Sequence, residues 1–307
     1  MSWLTLTIIA QFLNSIVALF DKYFVTSKKI TTPILYVFYT GFLTALGILL
    51  YVPALFIKTL GLPQFSNIEM LGMLTFSAIA TASLSQLVAL WALFSALKKN
   101  DASDVVPVIG SLSAICALVI GFVFGATSLP FHFTIGFALL VTGTLLISHF
   151  RFSLTTFLLT LLAGLGFALH GLLLKVALSN SSFDTGFFWF ACITSVFSLM
   201  LFAFRPVRKA FFSQTKEKHI KSTGALLIGN KVIAGIAGIL LIKAIEIGEV
   251  SLVQALGGLQ FVFLFLLAVI FGRVTSIDFG ENMTRKDIYH KLISIGIISA
   301  GFVLLFI

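Results

Sequence analysis

Long apolar stretches alternate with short polar ones along the whole of this 307-residue chain. A membrane-spanning helix needs about 20 mostly apolar residues. Only a helix satisfies all backbone hydrogen bonds within one lipid-exposed segment, and the stretches are too long for the strands of a barrel. The pattern therefore predicts an all-α membrane protein with ten transmembrane helices. The ten predicted spans cover residues 4–24, 34–57, 70–97, 105–125, 131–148, 154–178, 185–204, 223–245, 250–272 and 290–307.

The composition leaves no room for a separate soluble domain. Only 10% of the residues are charged, whereas soluble domains carry about 25%. The longest polar stretches, 205–222 and 273–291, are too short to bury a core of their own. We therefore expect a multi-pass protein of the cell (plasma or inner) membrane, with the lipid bilayer as its main surroundings. Nucleic-acid binding is not needed to explain the net charge of +9.

The basic residues are distributed unevenly between the two sides of the predicted bundle. Of the 20 lysines and arginines, sixteen fall in or beside the odd-numbered connections between spans and three in the even-numbered ones. Short connections rich in Lys and Arg stay in the cytoplasm. The distribution predicts cytoplasmic odd-numbered connections, with both termini on the opposite side.

The chain also reads as two copies of one unit. Residues 96–107 echo residues 244–255, and both passages join the third and fourth spans of their half. Lys22 and Lys175 occupy similar places at the end of the first span of each half. Because each half has five spans, the two copies must cross the membrane in opposite directions. Such inverted repeats enclose a central cavity near the bilayer midplane in many transporters.

At these two joints the sequence resembles the EamA family of the drug/metabolite transporter (DMT) superfamily. The resemblance covers the whole chain, as two EamA-like five-helix repeats at residues 1–149 and 150–307. It implies a transporter that exports or exchanges amino acids or related small metabolites by alternating access. It also implies a cavity lined by the first, third and fourth helices of each half. The chain departs from the family at Ala255, where proline is common, and in its charge distribution, since the family's termini usually lie in the cytoplasm.

Lys231 is the most informative residue, because it lies inside the apolar stretch 226–241. A lysine at membrane depth is costly unless it faces a cavity or a partner, so we interpret it as a cavity residue. Snorkelling to the interface or a structural ion pair is the alternative. A cavity-facing ammonium group favours a solute with a carboxylate or another anionic group. Asn230 points about 100° away on a helix, so the two side chains need not share a partner.

Other polar side chains within the predicted spans are further cavity candidates. Gln254 and Gln260 can face one point only if their helix is broken near Gly257. Interhelical hydrogen bonds, or packing in the case of the histidine, are the alternative roles, and such bonds contribute about 1 kcal/mol or less. The candidates are Gln11, Asn14, Gln86, His170 and Gln254.

Catalytic motifs are missing from the sequence. It has no HExxH, GxSxG or phosphate-binding Walker motif, so we expect neither an enzyme nor a cofactor or metal site. An assembly subunit or a lipid-modifying membrane enzyme is the alternative function. Gly121 and Gly125 form a GxxxG motif, for which helix packing is the main interpretation and a homodimer the alternative.

The acidic residues bear on how transport is driven. Each of them, Asp21 included, lies near the end of a predicted span or outside the spans. We therefore do not expect a carboxylate proton relay, and facilitated or exchange transport is favoured.

Overall fold

The computed structural model describes residues 2–26, 32–54, 63–124, 131–147, 153–214, 220–274 and 285–304. Within these ranges the chain forms thirteen α-helices and no strand, which confirms the all-α class. The helices are α1 (Trp3–Thr26), α2 (Pro33–Leu43), α3 (Tyr51–Ala54), α4 (Met73–Leu97), α5 (Ala102–Val123), α6 (Phe131–Ile147), α7 (Leu154–Ser179), α8 (Phe183–Met200), α9 (Arg205–Gln214), α10 (Ile220–Ile247), α11 (Val250–Ala255), α12 (Gly257–Val274) and α13 (Arg285–Leu304). Short 3-10 helices are present at Thr44–Leu50, Phe65–Asn67 and Leu201–Ala203.

Seven segments of the described chain are long and apolar enough to cross a membrane: α1, α4, α5, α7, α8 with its 3-10 extension, α10, and α11 with α12. Three shorter apolar segments accompany them, at Pro33–Leu49, Thr134–Leu146 and Leu292–Leu304. The multi-pass membrane class is therefore confirmed. Each of the ten predicted spans overlaps one of these segments, and the count of ten membrane crossings stays a prediction. Gly125 and several of the charged connections lie outside the described residues.

The helices pack in a regular scheme around the centre of the molecule. Helix α4 packs on α7 and α1 packs on α10, while α6 packs on α13 and α5 on α7 and α11. Helices of the first half therefore lie mainly against helices of the second half. The space between the halves is where a cavity can form.

Helix α7 allows this close packing because it has glycines where its neighbours approach. A Cβ atom added to Gly164 would lie 2.6 Å from Cβ of Leu112 on α5. One added to Gly166 would lie 2.9 Å from Cβ of Ala89 and 3.0 Å from the main-chain oxygen of Ser85 on α4. Two different helices therefore approach α7 at positions where only glycine fits.

The Gly166→Ala substitution is expected to destabilise the protein. The added methyl group meets backbone, and overpacking of this kind costs about 1–3 kcal/mol, more than the gain of up to about 1 kcal/mol from replacing glycine in a helix. Gly229→Ala on α10 is the matched control, because nothing lies within 4 Å of its Cβ position. Thermal unfolding in detergent measures both variants. Equal stability of the two would contradict the described packing of α4 on α7.

Two lysines cap the ends of other helices. Nζ of Lys22 on α1 donates to the main-chain oxygens of Leu97 (2.9 Å) and Asn100 (2.6 Å) at the end of α4. Nζ of Lys175 on α7 donates to three main-chain oxygens at the end of α10, those of Ile245 (2.8 Å), Glu246 (2.7 Å) and Gly248 (2.9 Å). The last carbonyl groups of a helix have no partner within it, and a lysine both bonds them and complements the helix dipole. The sequence pattern assigns Lys22 and Lys175 to connections between spans. In the structure both lysines lie within helices.

Helix α9 is amphipathic and carries part of the basic charge. Arg205, Arg208 and Lys209 are exposed, whereas Val207 and Ala210 are buried against the bundle. An apolar face directed to the protein and a basic face directed outward are typical of a helix at the membrane interface.

Candidate functional site

A cavity of about 400 Å³ lies between the two halves of the bundle. Its walls come from α1, α2, α4, α5, α7, α8, α10, α11 and α12, with the Thr44–Leu50 helix on one side. The polar side chains in the lining are Gln11, Asn14, Asp21, Thr40, Thr44, Gln86, Ser113, His170, Lys231, Gln254 and Gln260. Many of them are near the middle of their helices, so the cavity occupies the centre of the bundle.

A helix break shapes one wall of this cavity. Helix α11 ends at Ala255 and α12 begins at Gly257, which confirms the predicted break. Gln254 and Gln260, on either side of it, both line the cavity. Their amide groups donate to main-chain oxygens of other helices: Nε2 of Gln254 to Phe167 (3.4 Å) and Nε2 of Gln260 to Asn14 (3.1 Å).

A buried polar network around Asp21 joins three helices. Its Oδ1 atom accepts a hydrogen bond from Nζ of Lys231 at 2.9 Å, from Nδ2 of Asn230 at 2.7 Å and from the hydroxyl group of Tyr36. Asp21, Tyr36, Asn230 and Lys231 are each at most 6% exposed. Nζ of Lys231 also lies 4.2 Å from the ring centroid of Tyr36 and 5.5 Å from that of Phe94. The network ties α1 and α2 of the first half to α10 of the second.

The network adds two facts to the sequence analysis. Asn230 and Lys231 share a partner, because both donate a hydrogen bond to Oδ1 of Asp21. Asp21 lies near the end of α1, where the sequence pattern places it, and its side chain is buried. Lys231 combines two of its proposed roles, because it pairs with Asp21 and lines the cavity. The signal for Asp21 was present in the sequence, since a lysine at membrane depth calls for an acidic partner.

Two glycines of helix α10 line the cavity. Nothing lies within 4 Å of a Cβ atom placed on Gly235 or Gly238, and both residues are in the lining. The open space beside them belongs to the cavity.

His170 makes packing contacts with neighbouring helices and also lines the cavity. Its Nδ1 atom is 3.2 Å from the main-chain oxygen of Ala82, and its ring centroid is 5.3 Å from that of Phe190. The same side chain lines the cavity.

Two polar side chains of the described cavity lining have buried atoms that lack hydrogen-bond partners. They are Oε1 of Gln86 and Oγ of Ser113. Both residues line the cavity.

The structure brings most of the predicted site residues together. Six of the seven line the cavity, and the seventh, Asn230, contacts it through Asp21. The polar lining residues that the sequence did not single out are Asp21, Thr40, Thr44 and Ser113. In the described residues no group of three or more His, Cys, Asp or Glu side chains is placed to hold a metal ion.

The sequence matches no protein-family model and no curated protein. By fold, the chain is similar to a solved crystal structure of a protein with which it shares 15% sequence identity, at a TM-score of 0.67. The similarity covers 98% of this chain and 95% of that one. At this identity the match establishes a shared fold and nothing about activity. The apolar helices define a multi-pass integral membrane protein.

Proposed function

We propose that this protein is a transporter of small metabolites in the cell (plasma or inner) membrane, of the EamA type, working by alternating access. The observation that carries the proposal is the central cavity between the two halves. It is large enough for a small solute, since ligand sites measure about 300–1,000 Å³, and its polar groups lie at the depth of the membrane. A protein with a purely structural role has no use for such a space.

The arrangement of helices supports two inverted repeats. In this scheme α1 corresponds to α7, α4 to α10, α5 to α11 together with α12, and α6 to α13. The packing of α4 on α7 then mirrors the packing of α10 on α1. The lysine caps follow the same scheme, because Lys22 caps α4 and Lys175 caps α10. A carrier built in this way rocks one repeat against the other around a fixed central site.

The Asp21 network acts as a latch at one end of the cavity in this proposal. It joins the two halves near the end of α1, on the side where the sequence predicts the basic connections. The repeat scheme pairs Lys22 with Lys175, so the counterpart of Asp21 is Leu174, which carries no charge. The ion pair therefore closes one end only, and opening that end requires Lys231 and Asp21 to move together or to separate.

Flux into liposomes tests the proposal. The purified protein is reconstituted and screened with a panel of small metabolites, and wild type is compared with Gly238→Leu, which fills the cavity from a position with open space around it. The expected result is a saturable flux that falls at least about ten-fold in Gly238→Leu, equivalent to about 1.4 kcal/mol. Gly229→Leu, on the same helix with open space but outside the lining, is expected to keep the flux. A folded protein that moves no compound would favour a non-transport function.

A further inference from the structure

The charges in the cavity cancel. Among the described lining residues the charged side chains are Asp21 and Lys231, and they form an ion pair of 2.9 Å. The expectation of an anionic solute was based on a free ammonium group at position 231. With Asp21 bound to it, a carboxylate or phosphate entering the cavity loses its water without gaining a free cation, which is unfavourable at low dielectric.

Several polar groups of the lining have their donors occupied, which leaves their acceptors for a solute. The amide groups of Gln254 and Gln260 donate to main-chain oxygens, so their side-chain oxygens are the atoms left to face a solute. Oε1 of Gln86 is buried without a donor. A buried acceptor without a donor is unfavourable, and a solute that supplies an N–H or O–H group removes this penalty.

From this charge balance and these glutamine acceptors, we infer that the cavity selects electroneutral solutes that present N–H or O–H donors and rejects net anions. The inference rests on the proposed function and names its substrate class. Its first element concerns charge and depends on the Asp21 and Lys231 pair. Its second concerns donors and depends on the three glutamines. The two elements can be tested separately.

Binding to the purified protein in lipid nanodiscs tests the inference without requiring transport. The probes are two matched sets, uracil with orotate and 1,3-dimethyluracil, and ribose with ribose 5-phosphate. Orotate and ribose 5-phosphate add a negative charge, and 1,3-dimethyluracil keeps the ring but has no N–H group. The expected result is a thermal stabilisation by uracil or ribose, with at least ten-fold weaker binding of the charged or methylated analogue. Tighter binding of an anion than of its neutral counterpart, or no binding of either neutral compound, would overturn the inference.

Two variants separate the elements of the inference. Asp21→Asn leaves Lys231 without its counterion, so the preference is expected to move at least ten-fold towards orotate. Asp184→Asn is the matched control, because that carboxylate binds Asn67 and lies outside the lining. Gln86→Leu keeps the ion pair. It is expected to weaken the binding of uracil and to leave the already weak binding of 1,3-dimethyluracil unchanged. If a folded Asp21→Asn protein keeps the wild-type preference for uracil over orotate, the charge element is refuted. If Gln86→Leu weakens the binding of uracil and of 1,3-dimethyluracil equally, the donor element is refuted.

Binding and flux also separate this inference from the proposed function. Binding of the neutral probes without flux would leave the cavity chemistry in place and count against a transporter. Saturable flux of orotate in preference to uracil would support a transporter and refute the substrate class.

Discussion

Replacing Lys231 with methionine is expected to lower the free energy of unfolding by about 3–5 kcal/mol, the usual effect of removing one partner from a buried ion pair. The variant leaves the Asp21 carboxylate buried, with Asn230 and Tyr36 as its hydrogen-bond donors among the described residues. The methionine side chain is similar in length to that of lysine but has no charge, so contacts with the rings of Tyr36 and Phe94 change little. Unfolding of the purified protein in detergent, followed by tryptophan fluorescence, measures the loss.

A double-mutant cycle shows whether this loss comes from the pair. Asp21→Asn combined with Lys231→Met removes both charges, and the double variant is expected to recover most of the stability lost by the lysine variant alone, with a coupling energy of about 2–3 kcal/mol. Lys243→Met is the control, because Lys243 pairs with Glu246 at the surface and exposed pairs contribute less than about 1 kcal/mol. Additive losses in the cycle would mean that Lys231 and Asp21 do not interact.

Replacing Lys22 with methionine is expected to have the second-largest effect, a loss of about 3 kcal/mol. The variant removes two hydrogen bonds from a charged donor to the end of α4, and bonds of this kind contribute about 1.5–3 kcal/mol each. The Lys22 side chain is 5% exposed, so water has little access to the carbonyl groups that lose their donor. Denaturant unfolding in detergent measures the change.

Lys175→Met provides the matched comparison at the other cap. Its side chain is only partly buried, so water can replace the ammonium group at the end of α10 and the expected loss is smaller, about 1–2 kcal/mol. A larger loss for Lys175→Met than for Lys22→Met would contradict this account of burial.

The local features of the site could be predicted from the sequence because they depend on neighbouring residues. Apolar stretches predict helices at membrane depth, and a lysine within such a stretch marks a special position. The spacing of Gln254 and Gln260 indicated where a helix break would be needed for both to face one point, and a break is present beside Gly257. These inferences placed Gln11, Gln86 and Lys231 in the correct region without any knowledge of packing.

The partners of these residues could not be predicted in the same way. Asp21 and Lys231 are 210 positions apart in the chain, and their contact depends on how α1 and α10 rotate about their axes when they pack. The caps formed by Lys22 and Lys175 depend likewise on where the ends of α4 and α10 meet neighbouring helices.

The sequence by itself determined the membrane class, the approximate spans and most of the polar residues of the cavity, because hydropathy and helical periodicity act over a few turns. Only the tertiary structure decided that the Lys231 charge is balanced by Asp21, that Asn230 shares the same carboxylate, and that Gly238 faces open space. The physical reason is that ion pairing, capping and cavity volume depend on distances between helices, and packing sets these distances.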